Sequence, residues 1–590
     1  MKNCLLGIAS ALALAAASSA SGQAPKPGFP EITGRTRASA LPISAWQRAV
    51  RFDKLDLAIE VLPATYQIRG VATLDFTARE RLTSFALDLD RNLPVTAISV
   101  NGRALAAGQW SNPEGQLQFS LPQPVGAGDR LSIRIAYGGT PHVAANAPWD
   151  GGFVWSKSPS GAPYVATAVQ VQGCDLLWPC IDNPLAEPAL ADIHITVPAG
   201  LSAPANGVLQ GVRELRDGRR TFDWRIKNPN NYAIALNVGP YAHLEGRYQS
   251  RFGNSIPMHF WHLPERGAEA KMLFEEFAPT LDFFEAVIGP YPFGDEKMGV
   301  VETPHLGMEH QTINAYGNGY VRDAYGFDWL FQHEFAHEWF ANQLTYADAD
   351  DFWLHEGFGT YMQPLYAEWR GGQMSYLARL HSLRAGIRNC YPIVSGSSRT
   401  VEEVYLHEKQ GPSGDIYGKA ALMLHTLRQL IGDEDFFTST RRLVYGRPDP
   451  KPGNFKPRFG STSEFVSIVN QETGRDYTWF FDIYLREAQL PDLVAERSGE
   501  RLQLRWETPN DRPFPMPVEV KVGEKIERLA MANGSGEITI PAGAHFVLDP
   551  GGRILRRSRD IDALQNSHYA LATKALQPGQ KPPEKPCIQP

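Results

Sequence analysis

The chain has 590 residues, room for three or four domains at about 150 residues each. Hydrophobic residues make up 43% and charged residues 21%, which excludes a disordered chain, a collagen-like repeat and a coiled coil. Lys and Arg number 57 against 64 Asp and Glu, a formal charge of −7 with no long basic run, so nucleic acid is excluded as a partner. The densest basic cluster, Arg553, Arg556, Arg557 and Arg559, is short and reads as solvated surface.

At the N-terminus, Lys2 precedes an apolar run from Leu5 to Ala17, then small residues in which Ser18-Ser19-Ala20 or Gly22-Gln23-Ala24 offers a cleavage site. This order predicts a signal peptide over residues 1–24, and a secreted or periplasmic location. The run is too short to span a bilayer, and no other stretch reaches 18 apolar residues, so no membrane span is expected. Beyond Cys4 there are four cysteines, Cys174, Cys180, Cys390 and Cys587. They allow three full pairings, and their spacing does not choose among them.

An N-terminal all-β domain is expected over residues 25–243. Leu131, Ile133 and Ile135 alternate with polar residues, as do Leu74 and Phe76, and Phe85, Leu87 and Leu89. Asn101-Gly102 and Gly138-Gly139 read as turns. Residues 244–490 form a mostly helical domain, with helices predicted over 269–288, 327–345, 352–370, 374–388, 415–431 and 461–472. The last opens on Ser461-Thr462-Ser463-Glu464, a capping box. Alternation returns at Leu502, Leu504 and Trp506 and at Val518, Val520 and Val522, which predicts a small β-sandwich over 491–558. The Pro- and Lys-rich tail, 559–590, is expected to be disordered. The fold class is thus α+β and multidomain.

The chemistry centres on His333-Glu334-Phe335-Ala336-His337. Four residues apart on a helix, both imidazoles face one way and can share a metal, with Glu334 beside them to act on a water. A catalytic zinc takes three protein ligands and keeps one position open. Glu356, in Trp353-Leu354-His355-Glu356-Gly357-Phe358, falls eighteen residues beyond His337 at the start of the next helix. A short connection would fold it back to complete a His₂Glu site.

These segments resemble the M1 zinc aminopeptidases, which include aminopeptidase N and leukotriene A4 hydrolase. Gly307-Met308-Glu309-His310 is similar to the family's Gly-x-Met-Glu-Asn motif. Tyr417-Gly418-Lys419-Ala420 is similar to its Tyr-x-Lys-Gly motif, and Trp178-Pro179-Cys180-Ile181-Asp182 to its Pro-Cys-x-Asp segment. The order of these motifs is also the family's, and the likeness spans about residues 45 to 555. There are departures: His310 stands for the motif asparagine, Ala420 for the glycine, and this sequence stops short of the helical solenoid many members carry.

The resemblance implies a thermolysin-like catalytic domain holding one zinc per chain on His333, His337 and Glu356. It implies Glu334 as the general base and Tyr417 as the donor to the oxyanion. Glu309, within the Gly307 and Met308 motif, would hold the α-amine of a peptide with a free N-terminus. Gln170 or Gln172 would assist it; two residues apart on one expected strand, they would face the same way. Met308 and Tyr316 are candidates for the side-chain pocket, and a cationic His310 would compete for Glu309 as pH falls below about 6.5. The alternatives are a zinc endopeptidase on the same core and a catalytically silent peptide-binding relative. Oligomeric state is not legible.

Overall fold

The computed structural model describes residues 29–453, 455–576, 585 and 587; the expected signal peptide lies outside them. An eight-stranded sheet organises the N-terminal part. Its order is Val208–Glu214, Arg220–Lys227, Leu190–Val197, Val50–Leu62, Gln67–Ala78, Arg130–Gly139, Val95–Val100 and Arg103–Ala104. One pairing, Val50–Leu62 with Leu190–Val197, is parallel and the others are antiparallel. The alternating residues Leu55, Leu57, Ile59, Leu74, Phe76, Leu131, Ile133 and Ile135 are buried. They face a three-stranded sheet that contains Leu82–Asp88, with Phe76 and Phe85 in contact at 5.3 Å between ring centroids. Two half-apolar sheets buried against each other explain the period-two pattern.

Asn101-Gly102 is the expected turn, with φ of 47° and 80°. Gly138-Gly139 is not: both are paired in the strand, opposite Arg69 and Ile68. A side chain at Gly138 would meet the Ile68 carbonyl, and one at Gly139 the Asn92 carbonyl, so close backbone approach accounts for these glycines.

A five-stranded sheet follows, ordered Ala242–Gln249, Ser255–His262, Met298–Glu302, Asn314–Tyr316 and Gly307–Met308. Four of the helices around it lie close to their predicted extents, and the others differ. The first is two helices, Gly267–Phe274 and Phe277–Val287. The stretch expected as one helix over 327–345 is an α-helix only over Trp329–Ala336. It then passes through a wide turn over Glu338–Gln343, where Phe340 (φ −111°, ψ 54°) and Ala341 (φ 178°, ψ −60°) leave helical geometry, into the strand Leu344–Tyr346. The next helices are Trp353–Gly371, Gln373–Arg384, Gly418–Ile431 and Thr462–Thr473. Ser461 caps the last through Glu464 N–H, while the Glu464 carboxylate turns to Arg458 instead of closing the box. Helices Asp433–Tyr445 and Thr478–Arg486 were not legible as such.

Two three-stranded sheets form the C-terminal sandwich, with Trp506 against Phe514 and Phe514 against Tyr484 of the helical part. The tail departs from the expected disorder. Arg559–Lys574 is a helix, with Asp560 and Asp562 in its first turn. Buried Gln565 donates to the Ile387 carbonyl at 2.8 Å, an anchor that composition does not reveal. The cysteines pair as Cys174–Cys180 and Cys390–Cys587, the latter tying the far end of the chain to the helical part.

The helix Trp353–Gly371 is held at its start by Thr462. Asp351 Oδ1 accepts from the Thr462 hydroxyl at 2.6 Å, and that hydroxyl accepts from Trp353 Nε1–H at 2.8 Å. Thr462→Val keeps the shape and strands the fully buried Trp353 indole N–H, while Asp351 Oδ1 loses the hydroxyl but keeps the Thr462 backbone N–H at 3.1 Å. It should cost about 1–3 kcal/mol for the stranded group, read as a lower denaturation midpoint; an unchanged midpoint would show that this anchor contributes nothing.

Candidate active site

Asp328 opens the HExxH helix by accepting from Phe331 N–H at 3.1 Å, and is itself held by the Tyr316 hydroxyl at 2.6 Å. His333 and His337 lie on one face of this helix. The wide turn after it brings the Phe340 carbonyl 3.1 Å from His337 Nδ1. With the Nδ1 proton engaged there, Nε2 keeps its lone pair for a ligand role. The chain then returns through Leu344–Tyr346 to the second helix, which presents Glu356 on its first turn.

The three groups meet as a near-equilateral triangle. His333 Nε2 and His337 Nε2 are 3.3 Å apart, and Glu356 Oε2 is 3.5 and 3.4 Å from them. Ligands at about 2.0–2.1 Å from one ion, set at tetrahedral angles, stand about 3.3–3.4 Å apart. The donor set and its spacing therefore fit zinc. His333 Nδ1 has no partner, and all three residues are buried.

Beside this triangle, one oxygen each of Glu309 and Glu334 lies within 4.8 Å of the other and of a His337 ring nitrogen. Gly307 makes room for this, since a Cβ there would fall on the Glu334 carboxylate. Glu309 Oε1 accepts from the Tyr232 hydroxyl at 2.9 Å and from Gln170 Nε2. Asn342 Nδ2 holds the Glu309 carbonyl at 2.9 Å. The Tyr417 hydroxyl meets that of Tyr405 at 3.0 Å, and the Tyr405 hydroxyl is 3.5 Å from Glu356 Oε1. Lys419 serves elsewhere, donating to the Glu487 and Ala488 carbonyls at 2.9 and 2.7 Å.

The electrostatics are those of anions crowded out of water. Burial, then the Glu309 charge, raises the Glu334 carboxyl well above its ordinary range. Burial also raises Glu309. Burial works against the charged form of Glu356 too, but His337 and His333 outweigh it and hold this carboxyl low. Burial disfavours a cationic His337, yet Glu356, Glu309 and Glu334 push it up to about 10. A cluster that drives an imidazole so far upward is short of positive charge.

Several expectations change here. Gln170 and Gln172 do not share a strand face: the strand ends at Ala168, and a tight turn closes with Gly173 N–H on the Val169 carbonyl at 2.6 Å. Gln170 reaches Glu309, whereas the Gln172 side chain turns away, its Oε1 accepting from Gly151 N–H. Met308 and Tyr316 are buried, the former in a small cluster with Ile32 and Val169, the latter on Asp328, so neither lines an open pocket. His310 is fully buried with neither ring nitrogen hydrogen-bonded. Burial and nearby His305 hold it well below its ordinary range, so it stays neutral where competition with Glu309 was expected. Tyr232, Tyr405 and Asn342 were missed: Tyr232 and Tyr405 lie outside the motifs, Asn342 follows His337 by five residues but sits where the helix opens into a turn, and only the Thr400–Glu403 capping box hinted at the short helix that carries Tyr405.

Residues 317–484 match a family model described as the Peptidase family M1 domain. Aminopeptidase B of Mus musculus is 26% identical over 406 residues, covering 64% of this chain and 59% of that protein. Leukotriene A-4 hydrolase of Xenopus laevis is 24% identical over 378 residues, covering 61% and 59%. Among solved structures, the M1 zinc metallopeptidase of Deinococcus radiodurans, in a variant bound to a Tyr-Ser-Ala substrate, is 25% identical with a TM-score of 0.62; the match covers 77% of this chain and 98% of that one. In fold and motif order the chain is similar to the M1 zinc metallopeptidases. This chain carries a peptidase family M1 domain on the M1 multidomain architecture. It spans about three-fifths of the length of those two curated relatives.

Gly359 packs under the His337 ring, where an added Cβ would lie 2.8 Å from Cε1. Gly359→Ala should tilt that imidazole and weaken zinc binding by about 10–100-fold, the usual cost of disturbing a ligand's support. Competition with a chromogenic chelator measures this; unaltered zinc affinity would mean that the ring can give way freely.

Proposed function

We propose that this chain is an exported zinc aminopeptidase that removes the N-terminal residue from peptides, with one zinc on His333, His337 and Glu356. Export rests on the Lys2 to Ala24 leader; among the described residues no helix is long and apolar enough to cross a membrane. The observation that carries the peptidase reading is the buried carboxylate of Glu309, held by Gln170 and Tyr232 within 4.8 Å of Glu334 and His337.

A substrate α-amine is largely cationic near neutral pH, with a pKa of about 7.7–8.0. Removing that ammonium from water is unfavourable unless a carboxylate receives it, and Glu309 is the carboxylate in position. Gln170 and Tyr232 both donate to Glu309 Oε1, which orients the carboxylate. With the amine fixed there, only the first peptide bond can sit between Glu334 and the zinc triad. When bound, the zinc supplies polarisation of the scissile carbonyl and an acidified water for the attack. Glu334 takes the proton of that water and delivers it to the leaving amine; its raised pKa suits both halves of the task. Tyr417, its hydroxyl oriented by Tyr405, donates to the oxygen that becomes negative in the tetrahedral state. An endopeptidase would need this end of the cleft open, and Glu309 with its two partners fills it.

Amino-acid anilides, free and N-acetylated, test the anchor directly: the free forms should be cleaved and the acetylated ones left intact. Glu309→Ala should lower kcat/KM tenfold or more, as expected from about 2–5 kcal/mol for breaking a desolvated charge pair. Efficient cleavage of the acetylated series by the unaltered protein would turn the reading to an endopeptidase.

Tyr417→Phe separates chemistry from binding. Losing a donor used mainly in the transition state should lower kcat about 10²–10³-fold with KM little changed. A rise in KM alone would make Tyr417 a substrate contact.

A further inference from the structure

A second group of ligand-competent side chains stands on the solvent face of the hairpin formed by Ala242–Gln249 and Ser255–His262. Its register sets Glu245 opposite His259 and His243 opposite Trp261. Since residues two apart share a face and directly opposed residues project together, His243, Glu245, His259 and Trp261 form one patch. The rings of His243 and Trp261 are stacked, 4.6 Å between centroids and 10° between planes. His259 lies parallel to His243 within 9°. The stack fixes both rings, and a hydrogen bond between His243 Nε2 and His259 Nδ1 joins them edge to edge. His243 Nε2 and His259 Nδ1 then face each other at 3.0 Å, and one ligand atom from each of His243, His259 and Glu245 lies within 4.8 Å of the other two.

We propose that His243, His259 and Glu245 form a second metal site, for a divalent transition ion that prefers tetragonal coordination, with Cu²⁺ the best fit. Two nitrogens at about 2.0–2.1 Å from one ion stand about 2.8–3.0 Å apart at right angles and about 3.3–3.4 Å apart at tetrahedral angles. The 3.0 Å of this pair is that of the hydrogen bond between the two rings, which a bound ion would replace, and it leaves the nitrogens near enough to share one ion with Glu245. Two imidazoles and a carboxylate are the donor set that square-planar or tetragonal ions accept, with solvent completing the shell. Burial lowers His243, and burial with the nearby Lys297 holds His259 down to about 4, so both rings are uncharged at neutral pH and do not repel an incoming cation. Arg247 is the other cation on this face, and it is engaged with Ser255 through its guanidinium. His262, which also bears on His243, is buried with its Nδ1 on the Leu263 carbonyl.

The test uses the full untagged chain, loaded with zinc and titrated with Cu²⁺ under dialysis, with metal content read by mass spectrometry. One copper should bind at micromolar free Cu²⁺ without loss of zinc, giving an axial paramagnetic spectrum with coupling to two nitrogens. His243→Ala with His259→Ala should abolish that copper and that spectrum, while zinc content and denaturation midpoint stay as they were. Should the double variant lose its fold, His259→Gln alone should weaken the site at least tenfold and remove one nitrogen coupling. Copper bound only in exchange for zinc, a full equivalent retained by the variants, or no uptake at micromolar Cu²⁺ would each overturn the assignment.

Discussion

The structure is organised around an excess of buried negative charge. Glu309, Glu334 and Glu356 converge on two imidazoles in a space with almost no access to solvent. Taking an ion out of water costs several kcal/mol even after relaxation, and a cluster of like charges is worse. Among the described residues the chief counter-charge is His337, which faces all three carboxylates and is pushed far from its ordinary range in consequence. A dication on the His₂Glu triangle and a monocation at Glu309 would balance the three carboxylates. On the function proposed above, these electrostatics suit a metal on one side of the cleft and an ammonium on the other.

Holding such a cluster together requires a rigid frame, and the helical region supplies one. The zinc-type helix is short because its backbone opens after His337, and the opening is functional: it frees the Phe340 carbonyl to orient the His337 ring. The next helix docks against this turn through Phe340 and Phe358, stacked at 4.8 Å and 7°. Its start is tied down by Asp351, Trp353 and Thr462. Glu356 therefore approaches the imidazoles along a fixed path, with Gly359 one turn further on leaving space for the ring. Nearly every side chain in this layer is aromatic or fully buried, so the ligand triangle can persist despite the repulsion beside it.

The N-terminal β part is more than a platform. Gln170 and Tyr232, both from it, hold the carboxylate of Glu309, which belongs to the edge of the catalytic sheet. Asn206 reaches across to the Gln311 carbonyl at 2.7 Å, and buried Lys297 donates to the Ala205 carbonyl at 3.0 Å and also to the Gly207 carbonyl. The surroundings of the Glu309 carboxylate are thus made where the N-terminal β part meets the catalytic part, each contributing some of them. Disulfide Cys174–Cys180 closes the turn that follows Gln170, which keeps this side of the junction in shape.

What the sequence determined by itself is what depends on local periodicity and fixed spacing. The half-buried sheets were legible because alternate residues must be apolar, and His333 with His337 because four residues on a helix return to one face. Glu356 was legible because a short return between two helices leaves few places for it to go. Tertiary structure alone decided the rest. Tyr232, Tyr405 and Asn342 carry no local signature, since their roles come from what meets them in space. The break of the zinc-type helix after His337 follows from packing, because the residues from Glu338 to Gln343 have helical composition but are wholly buried and pulled toward a strand. The tail helix is likewise a product of docking, with Gln565 satisfied by carbonyls nearly two hundred residues away. The neutrality of His310 was decided the same way: its ordinary pKa is a property of the residue, while its burial is a property of the fold.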